Sequence, residues 1–428
     1  MSVQGMIQAV RGMGDVLPEN SWHFHFVQSA FHTCLTQYGY LEIRLPLLER
    51  TELFKRGIGE VTDIVEKEMY TFEDRGGESV SLRPEGTAGC VRAALEYGLL
   101  YNQTQKLFYM GPMFRYERPQ KGRLRQFHQL GAEAFGFKGP EIDAEMLAMT
   151  ANFFKQLGVI DSLELQINTL GLPEERAAYR AALVTYFKAH ESLLDEDSQR
   201  RLLSNPLRIL DSKNPALAEV IENAPKMLDF LGAESAQYFH QLKEMLDTLN
   251  IPYRVVPTLV RGLDYYTHLV FEWVTTELGS QGTVCAGGRY DRLVEAFGGQ
   301  STPAVGFGLG LERLVLLLEA THQLQAPKVT DIYVVVLNEG VFKDALLLTE
   351  TLREKHPQWS ILLNCQGGGA KNQFKRADKS GALFALVLGE SEISTETVVV
   401  KFLRDETQQQ ITLNQRELES WLMKHLGK

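Results

Sequence analysis

Apolar and polar residues alternate along residues 106–116 and again along 126–136, and a loop holding Pro119 and Gly122 separates the two runs. A period of two on both sides of turn residues predicts an antiparallel hairpin. Upstream, Pro18 opens a helix in which Trp22, Phe26, Ala30 and Cys34 recur at i+4, a stripe expected to pack on a neighbour. Residues 39–48 read as extended, with Pro46 near the end of the strand. Short strands at 69–73 and 79–83 are joined through Gly76-Gly77. The turn Arg83-Pro84-Glu85-Gly86-Thr87 leads into a helix to about Tyr97. Between them, 53–67 carries Gly57, Gly59 and charges of both signs, and reads equally as a lid or a plain surface loop.

After the hairpin a helix is expected from Pro140 to Leu157 and a strand at 163–169. Residues 171–250 turn helical in pattern, with breaks at Asn205-Pro206, Asn214-Pro215 and Ala224-Pro225, and read as a helical insertion in a β-rich domain. Strand patterning resumes at 253–256, 268–274 and 283–286. Strands and helices without strict alternation predict an antiparallel α+β domain. Ala326-Pro327-Lys328 reads as a linker. Beyond it come strands at 332–337, 360–364, 383–388 and 398–402, with helices near 340–356, 371–380 and 414–426, a separate α/β domain. The expected division is 1–325, including the insertion at about 171–250, and 330–428. A chain of 428 residues is too long for one ordinary core.

Composition changes this picture little. A hydrophobic fraction of 44% is ordinary for a soluble protein, and no apolar run approaches the ~18 residues of a membrane span. Cys34, Cys90, Cys285 and Cys365 lie far apart, so neither a zinc site nor a disulfide framework is expected, and no protein-bound metal. A reduced, cytoplasmic compartment is the simplest expectation. The net charge of −10 argues against nucleic acid covering the whole surface and leaves local basic patches open. Two such patches stand out. The hairpin holds Arg115, Arg118, Lys121, Arg123 and Arg125, with Glu117 the only acid before Glu133. Lys371, Lys375 and Lys379 recur at i+4 on one helix face beside Arg376. Either patch could be a solvated face; arginine forks also suit phosphate oxygens.

No G-x-x-x-x-G-K-[ST] occurs, which excludes a P-loop. Gly306, Gly308 and Gly310 miss the dinucleotide fingerprint, since the third glycine comes one residue early and Glu312-Arg313 follows. These glycines are expected to let the backbone approach something planar or bulky. Arg313 falls in the first turn of a helix, where a cation is unfavourable without an anion nearby. Hairpin arginines, Arg261 and Arg313 thus want one ligand, and no hydrolase constellation accompanies them. Phosphoryl or nucleotidyl transfer needs mostly positioning and charge neutralisation, which arginines and Mg²⁺ supply. The residues alone reach a nucleoside triphosphate site on an antiparallel sheet and leave the second substrate open. Glu85 and Thr87 could equally be caps of the helix they precede.

At this point the motifs carry a likeness. Residues 39–50, 114–129 and 306–314 resemble motifs 1, 2 and 3 of the class II aminoacyl-tRNA synthetases. Arg261-Gly-Leu-Asp-Tyr-Tyr266 and Gly287-Gly-Arg-Tyr-Asp291 resemble the two histidine-specific motifs of the histidyl-tRNA synthetase family, and the likeness spans essentially the whole chain. The resemblance implies ATP-dependent attachment of L-histidine to tRNA(His) through a histidyl-adenylate. It implies that Arg115 and Arg261 act on the α-phosphate, and that Arg123 and Arg313 bind the outer phosphates of ATP carried with Mg²⁺. Phe127 would stack on adenine, and Glu117 would meet the adenine or the tRNA terminus. Glu85, Thr87 and Gln129 would surround the amino and carboxylate groups of histidine. Glu133 and Tyr266, beside Tyr265, would meet the imidazole. Motif 1 with Pro46 implies a homodimer. The C-terminal domain implies anticodon binding, with Lys371, Lys375, Arg376 and Lys379 as tRNA contacts. The rival is a non-catalytic, histidine-sensing regulatory paralogue of ATP phosphoribosyltransferase. Such a protein would be expected to lack both Gly287–Asp291 and residues 330–428, and both are present.

Overall fold

The computed structural model describes residues 7–59, 62–212, 214–261, 265–279, 282–324, 330–405 and 409–427. Gly262, Leu263 and Asp264 of the first histidine-type motif, Glu60 of the 53–67 stretch and the Ala326-Pro327-Lys328 linker lie outside these residues. The chain divides into two compact units, Met1–Leu324 and Gln325–Lys428.

Among the described residues the first unit has eleven strands: β1 (Leu41–Glu42), β2 (Leu48–Arg50), β3 (Thr71–Glu73), β4 (Ser79–Leu82), β5 (Gln105–Phe114), β6 (Gln126–Phe135), β7 (Glu164–Thr169), β8 (Tyr253–Val255), β9 (Thr267–Val274), β10 (Thr283–Arg289) and β11 (Ala304–Gly310). Eight form one sheet in the order β1-β5-β6-β11-β10-β9-β7-β8, and β2-β4-β3 form a small second sheet. The six central strands are antiparallel to one another, and the edge pairs β1–β5 and β7–β8 are parallel. The helices are α1 (Pro18–Gln37), α2 (Thr51–Ile58), α3 (Thr87–Glu96), α4 (Glu141–Gln156), α5 (Pro173–Ala189), α6 (Glu196–Ser204), α7 (Ala218–Glu222), α8 (Ala233–Thr248), α9 (Leu293–Ala296) and α10 (Leu311–Ala320).

Strand alternation splits the large sheet into two chemically different faces. Phe108, Leu130, Ala132, Phe271, Trp273 and Phe307 pack with Phe31 of α1, Phe153 and Phe154 of α4, and Leu314 of α10 in one core. Burying an aromatic side chain of this kind contributes roughly 1.5–3 kcal/mol, so this helix-backed layer fixes where the strands lie. Gln129, Glu133 and Glu272 alternate with those core residues and belong to the other face. That face is the only place a polar site can be built without breaking the core.

Several expectations change. The buried face of α1 is Val27, Phe31, Cys34 and Leu35, and Phe26 is exposed; the i+4 row Trp22, Phe26, Ala30, Cys34 reaches the fully buried set only at Cys34, because Phe31 is the residue that meets Phe108 and Phe307 of the sheet. Residues 39–48 give only the two-residue β1 before chain bends into β2. The 53–67 stretch is mostly helical, with α2 followed by a π-helical turn, Ile64–Glu68. Strand β10 runs on through Gly287-Gly288 to Arg289, so the second histidine-type motif is largely strand. The insertion is helical, with Pro206 and Pro215 each opening a 3₁₀ turn.

In the second unit β12 (Ile332–Val336), β13 (Ile361–Leu363), β14 (Phe384–Leu388), β15 (Thr397–Phe402) and β16 (Gln410–Asn414) form one sheet ordered β13-β12-β14-β15-β16. The first three are parallel and the last two antiparallel. Helices α11 (Phe342–Lys355), α12 (Ala370–Lys379), α13 (Glu390–Ser394) and α14 (Gln415–Leu426) complete it.

Candidate active site

The site grows from the β5–β6 hairpin. Strand β6 pairs with β11 from Phe135–Ala304 to Gln129–Gly310, which puts Gln129 and Glu133 on one face, four residues apart. Their side chains lie across β11. A Cβ at Gly306 would collide with the Glu133 carboxylate, and one at Gly308 with the Gln129 amide. The planar groups these glycines admit are therefore the chain's own side chains.

Beside them a cavity of about 350 Å³ is lined by Arg115, Glu117, Arg123, Phe127, Gln129, Arg261, Glu312 and Arg313. One cavity thus gathers every residue expected around ATP. The Arg115 guanidinium lies 5.4 Å from the centre of the Phe127 ring, and its Nε donates to the Pro84 carbonyl at 2.9 Å. Arg313 donates to the carbonyls of Thr283 and Gly122, the latter at 3.3 Å. Burial pulls the Arg313 guanidinium down from its usual range, and Arg123 and Arg115 push it further. Arg115 is also held down, by burial and then by Arg261, against the pull of Glu68 and Glu85. Burial opposes the charge on Arg261 too, but Glu272, paired with it, and Tyr266 more than offset this. Crowded cations that depress one another define a site complementary to a polyanion.

The hairpin loop has a balancing acid after all. Glu117 pairs with Arg123, two residues otherwise read as separate ligand contacts. Arg125 is taken up within the loop: its Nε donates to the Glu117 carbonyl at 3.1 Å, and its guanidinium covers the Tyr116 ring at 3.7 Å. Arg118 and Lys121 are exposed.

Next to the arginine cavity is a buried cluster of carboxylates and tyrosines. Glu133 is wholly buried; it accepts from the Tyr109 hydroxyl at 3.0 Å and from the Tyr290 hydroxyl. Burial pushes its carboxyl up to about 8, with Glu85 adding and Tyr290, Thr87 and Tyr109 opposing. Glu85 caps α3: its carboxylate accepts the amide protons of Thr87 at 2.6 Å and Ala88 at 2.9 Å. The reading of Glu85 as a helix cap thus holds in the structure. The Gln129 carbonyl accepts from the Gly86 amide at 3.0 Å, tying the α3 turn to β6. Tyr265 and Tyr266 have ring centres 4.8 Å apart, and Tyr265 meets Tyr290 edge-on at 5.5 Å. Tyr109, Tyr290 and Glu272 escaped the sequence reading. Tyr290 stood inside a quoted motif, but only the β10–β11–β6 register shows that it faces Glu133.

In the second unit Lys371, Lys375 and Lys379 are exposed on α12, while Gln373 and Ala377 face the core. Arg376 differs from its neighbours. It donates to Asn364 at 2.9 Å and to the Gly367 carbonyl, bracing the loop before the helix. Among the described residues no group of His, Cys, Asp and Glu is arranged to hold a metal ion.

An antiparallel sheet backed by helices on one face, with an arginine-lined cleft on the other, is the catalytic fold of a class II aminoacyl-tRNA synthetase. The histidyl-tRNA synthetase family profile matches residues 12–314, and an anticodon binding domain profile matches 331–425. The chain is 54% identical to the histidine--tRNA ligase of Legionella pneumophila (strain Lens), over 98% of this chain and 99% of that one. The crystal structure of apo S. aureus histidyl-tRNA synthetase superposes with a TM-score of 0.82 at 37% identity, covering 97% of this chain and 100% of that one. An ATP phosphoribosyltransferase regulatory subunit/histidyl-tRNA synthetase from Bacillus halodurans shares the fold at 22% identity, with a TM-score of 0.64 over 89% of this chain and 98% of that one. The chain belongs to the histidyl-tRNA synthetase family.

Proposed function

We propose that this protein joins L-histidine to tRNA(His) in two steps, using ATP as its Mg²⁺ complex. The observation that carries the proposal is the adjacency, on one sheet face, of an arginine-lined cavity and a buried cluster around Glu133. In the first step a histidine carboxylate oxygen bonds to the α-phosphorus of ATP, the bond to the bridging oxygen breaks, and pyrophosphate leaves. Arg115 and Arg261 hold the α-phosphate and offset the charge that builds there. Arg123, released from Glu117, and Arg313 take the outer phosphates, and Phe127 takes the base. Glu117 then becomes available to the adenine or the tRNA terminus. In the second step the terminal ribose 3′-hydroxyl attacks the acyl carbon, and AMP departs.

Histidine lies with its amino and carboxylate groups toward Glu85, Thr87 and Gln129, and its imidazole between Glu133 and Tyr266. A ring with nitrogens at fixed separation satisfies both; an apolar isostere leaves them unpaired, a rejection worth up to ~10⁵. The catalytic unit comprises 1–325 and the anticodon-binding unit 330–428. In the latter, Lys371, Lys375 and Lys379 contact tRNA phosphates and Arg376 supports them. The protein works as a homodimer through the region of Pro46, where Leu41, Leu47 and Leu48 are exposed. It works in the cytoplasm; no helix among the described residues is long and apolar enough to cross a membrane.

One assay tests the central reaction. Pyrophosphate should exchange into ATP only when L-histidine is present. Folded protein without histidine-dependent exchange would overturn the assignment.

A further inference from the structure

We infer that Glu312 and His128 form a clamp that positions the two ATP-binding side chains beside them, Arg313 and Phe127. The inference rests on the ATP site proposed above. The β6–β11 ladder ends at Gln129–Gly310, because the chain turns from β11 into α10 at Leu311. One residue farther along β6, the His128 amide has no β11 residue opposite it. The Glu312 carboxylate fills that place. Both of its oxygens lie 2.9 Å from the His128 amide nitrogen, and Oε1 lies 2.8 Å from His128 Nδ1. A carboxylate only accepts, so the ring presents its Nδ1–H. Glu312 is in the first turn of α10, where the helix dipole favours a negative charge. Phe24 of α1 meets the His128 ring edge-on at 5.7 Å and limits how it can turn.

This arrangement constrains the neighbours of each member. Successive side chains of a strand face opposite sides, so holding His128 toward α1 turns Phe127 to the cavity. On the other arm, Glu312 pins the first turn of α10, and the next residue is Arg313. The clamp therefore joins the strand that carries the base-stacking ring to the helix that carries the phosphate-binding arginine. Without it the ladder would stop at Gln129; Arg313 would still reach the hairpin loop at the Gly122 carbonyl, but the tie beside Phe127 would be lost. Of the contacts proposed for histidine, Glu85, Thr87, Glu133 and Tyr266 lie outside this linkage; Gln129 adjoins it but is held separately by the β11 ladder and the Gly86 amide. A clamp predicts a selective defect toward ATP, where a merely structural pair predicts equal losses for both small substrates.

The test uses the full-length protein with Glu312→Ala, His128→Ala and His128→Asn. Calorimetric titration reads the Kd for ATP without catalysis, pyrophosphate exchange gives KM for ATP and for histidine, and thermal unfolding checks the fold. Glu312→Ala, losing every bond of the clamp, should weaken ATP by about tenfold or more in Kd and KM and leave the histidine KM within about twofold. His128→Ala keeps the backbone bond and should weaken ATP by about threefold. His128→Asn, with an amide N–H near the position of Nδ1, should restore ATP binding. Folded variants that shift ATP and histidine alike, or shift neither, would overturn the clamp; so would an asparagine variant no better than alanine. If Glu312→Ala does not fold, the alanine–asparagine pair at His128 decides. Wild-type protein that binds ATP yet shows no exchange would reject the proposed reaction, while the ATP titrations still judge the clamp.

Discussion

Arg261 and Arg289 belong to similar glycine-containing motifs and flank the same pair of strands, but the fold treats them in opposite ways. Arg289 has no exposed side-chain surface. Its Nε and one terminal nitrogen reach Asp143 at 3.2 and 2.6 Å; the terminal nitrogens also reach the carbonyls of Phe137 and Gly139, each at 3.0 Å, and Asp291 at 3.1 Å. Tyr238 donates to the same Asp143 at 2.7 Å. Every donor nitrogen of Arg289 is spent on its own chain. Arg261 pairs with Glu272, its buried Nε has no partner among the described residues, and it lines the cavity. Saturation, more than motif membership, separates an arginine spent on the fold from one left open to the cavity.

The largest effect should come from unbalancing the saturated member. Asp143→Ala leaves the Arg289 cation buried without its main carboxylate, a loss of about 3–5 kcal/mol in the catalytic unit. Urea unfolding measures it. A loss below about 1 kcal/mol, within the range of ordinary surface substitutions, would show that the remaining carbonyls suffice and would weaken saturation as a criterion.

At Arg261 the pattern should reverse. Arg261→His should cut histidine-dependent exchange roughly 10²–10³-fold, by analogy with the removal of one transition-state donor. Its urea midpoint should match wild type, and the Kd for histidine should change much less than the rate. Equal losses in rate and histidine binding would make Arg261 a ground-state contact.

The main elements and the arginine-lined site were legible in the sequence, and the reason is local. Alternation at 106–116 and 126–136 follows from one face packing on α1 and α4, and Pro18 marks the start of α1 directly. What stayed hidden depended on register. Nothing near Arg289 in sequence announces Asp143, which lies 146 residues away on α4. Nothing near Glu133 announces Tyr290, 157 residues on. Glu117 and Arg123 were both visible, but only the closed hairpin loop makes them partners. Strand β16 and helix α13 were missed because neither has a fully buried residue, so neither carries the apolar run that marks the equally short β12 and β14.

Glu133 falls between the two arginines: both of its oxygens are engaged, but by neutral hydroxyls, with no cation. Burial, aided by Glu85, raises its carboxyl from 4.5 to about 8. Across that window the folded protein holds a proton that the unfolded chain releases, so stability falls as pH rises. One proton sets a slope of about 1.4 kcal/mol per pH unit, or about 2 kcal/mol between pH 6 and pH 7.5. Glu133→Gln lacks this component. Its unfolding free energy relative to wild type should therefore climb by about that amount over the same interval, read from urea melts at each pH. A difference that stays flat would mean that Glu133 is already ionised in the free protein. If it climbs, Glu133 is a neutral acid at neutral pH in the free protein, able to pass its proton on to an imidazole. The burial that makes its stability contribution fall with pH would then also prepare the group proposed to meet the histidine ring.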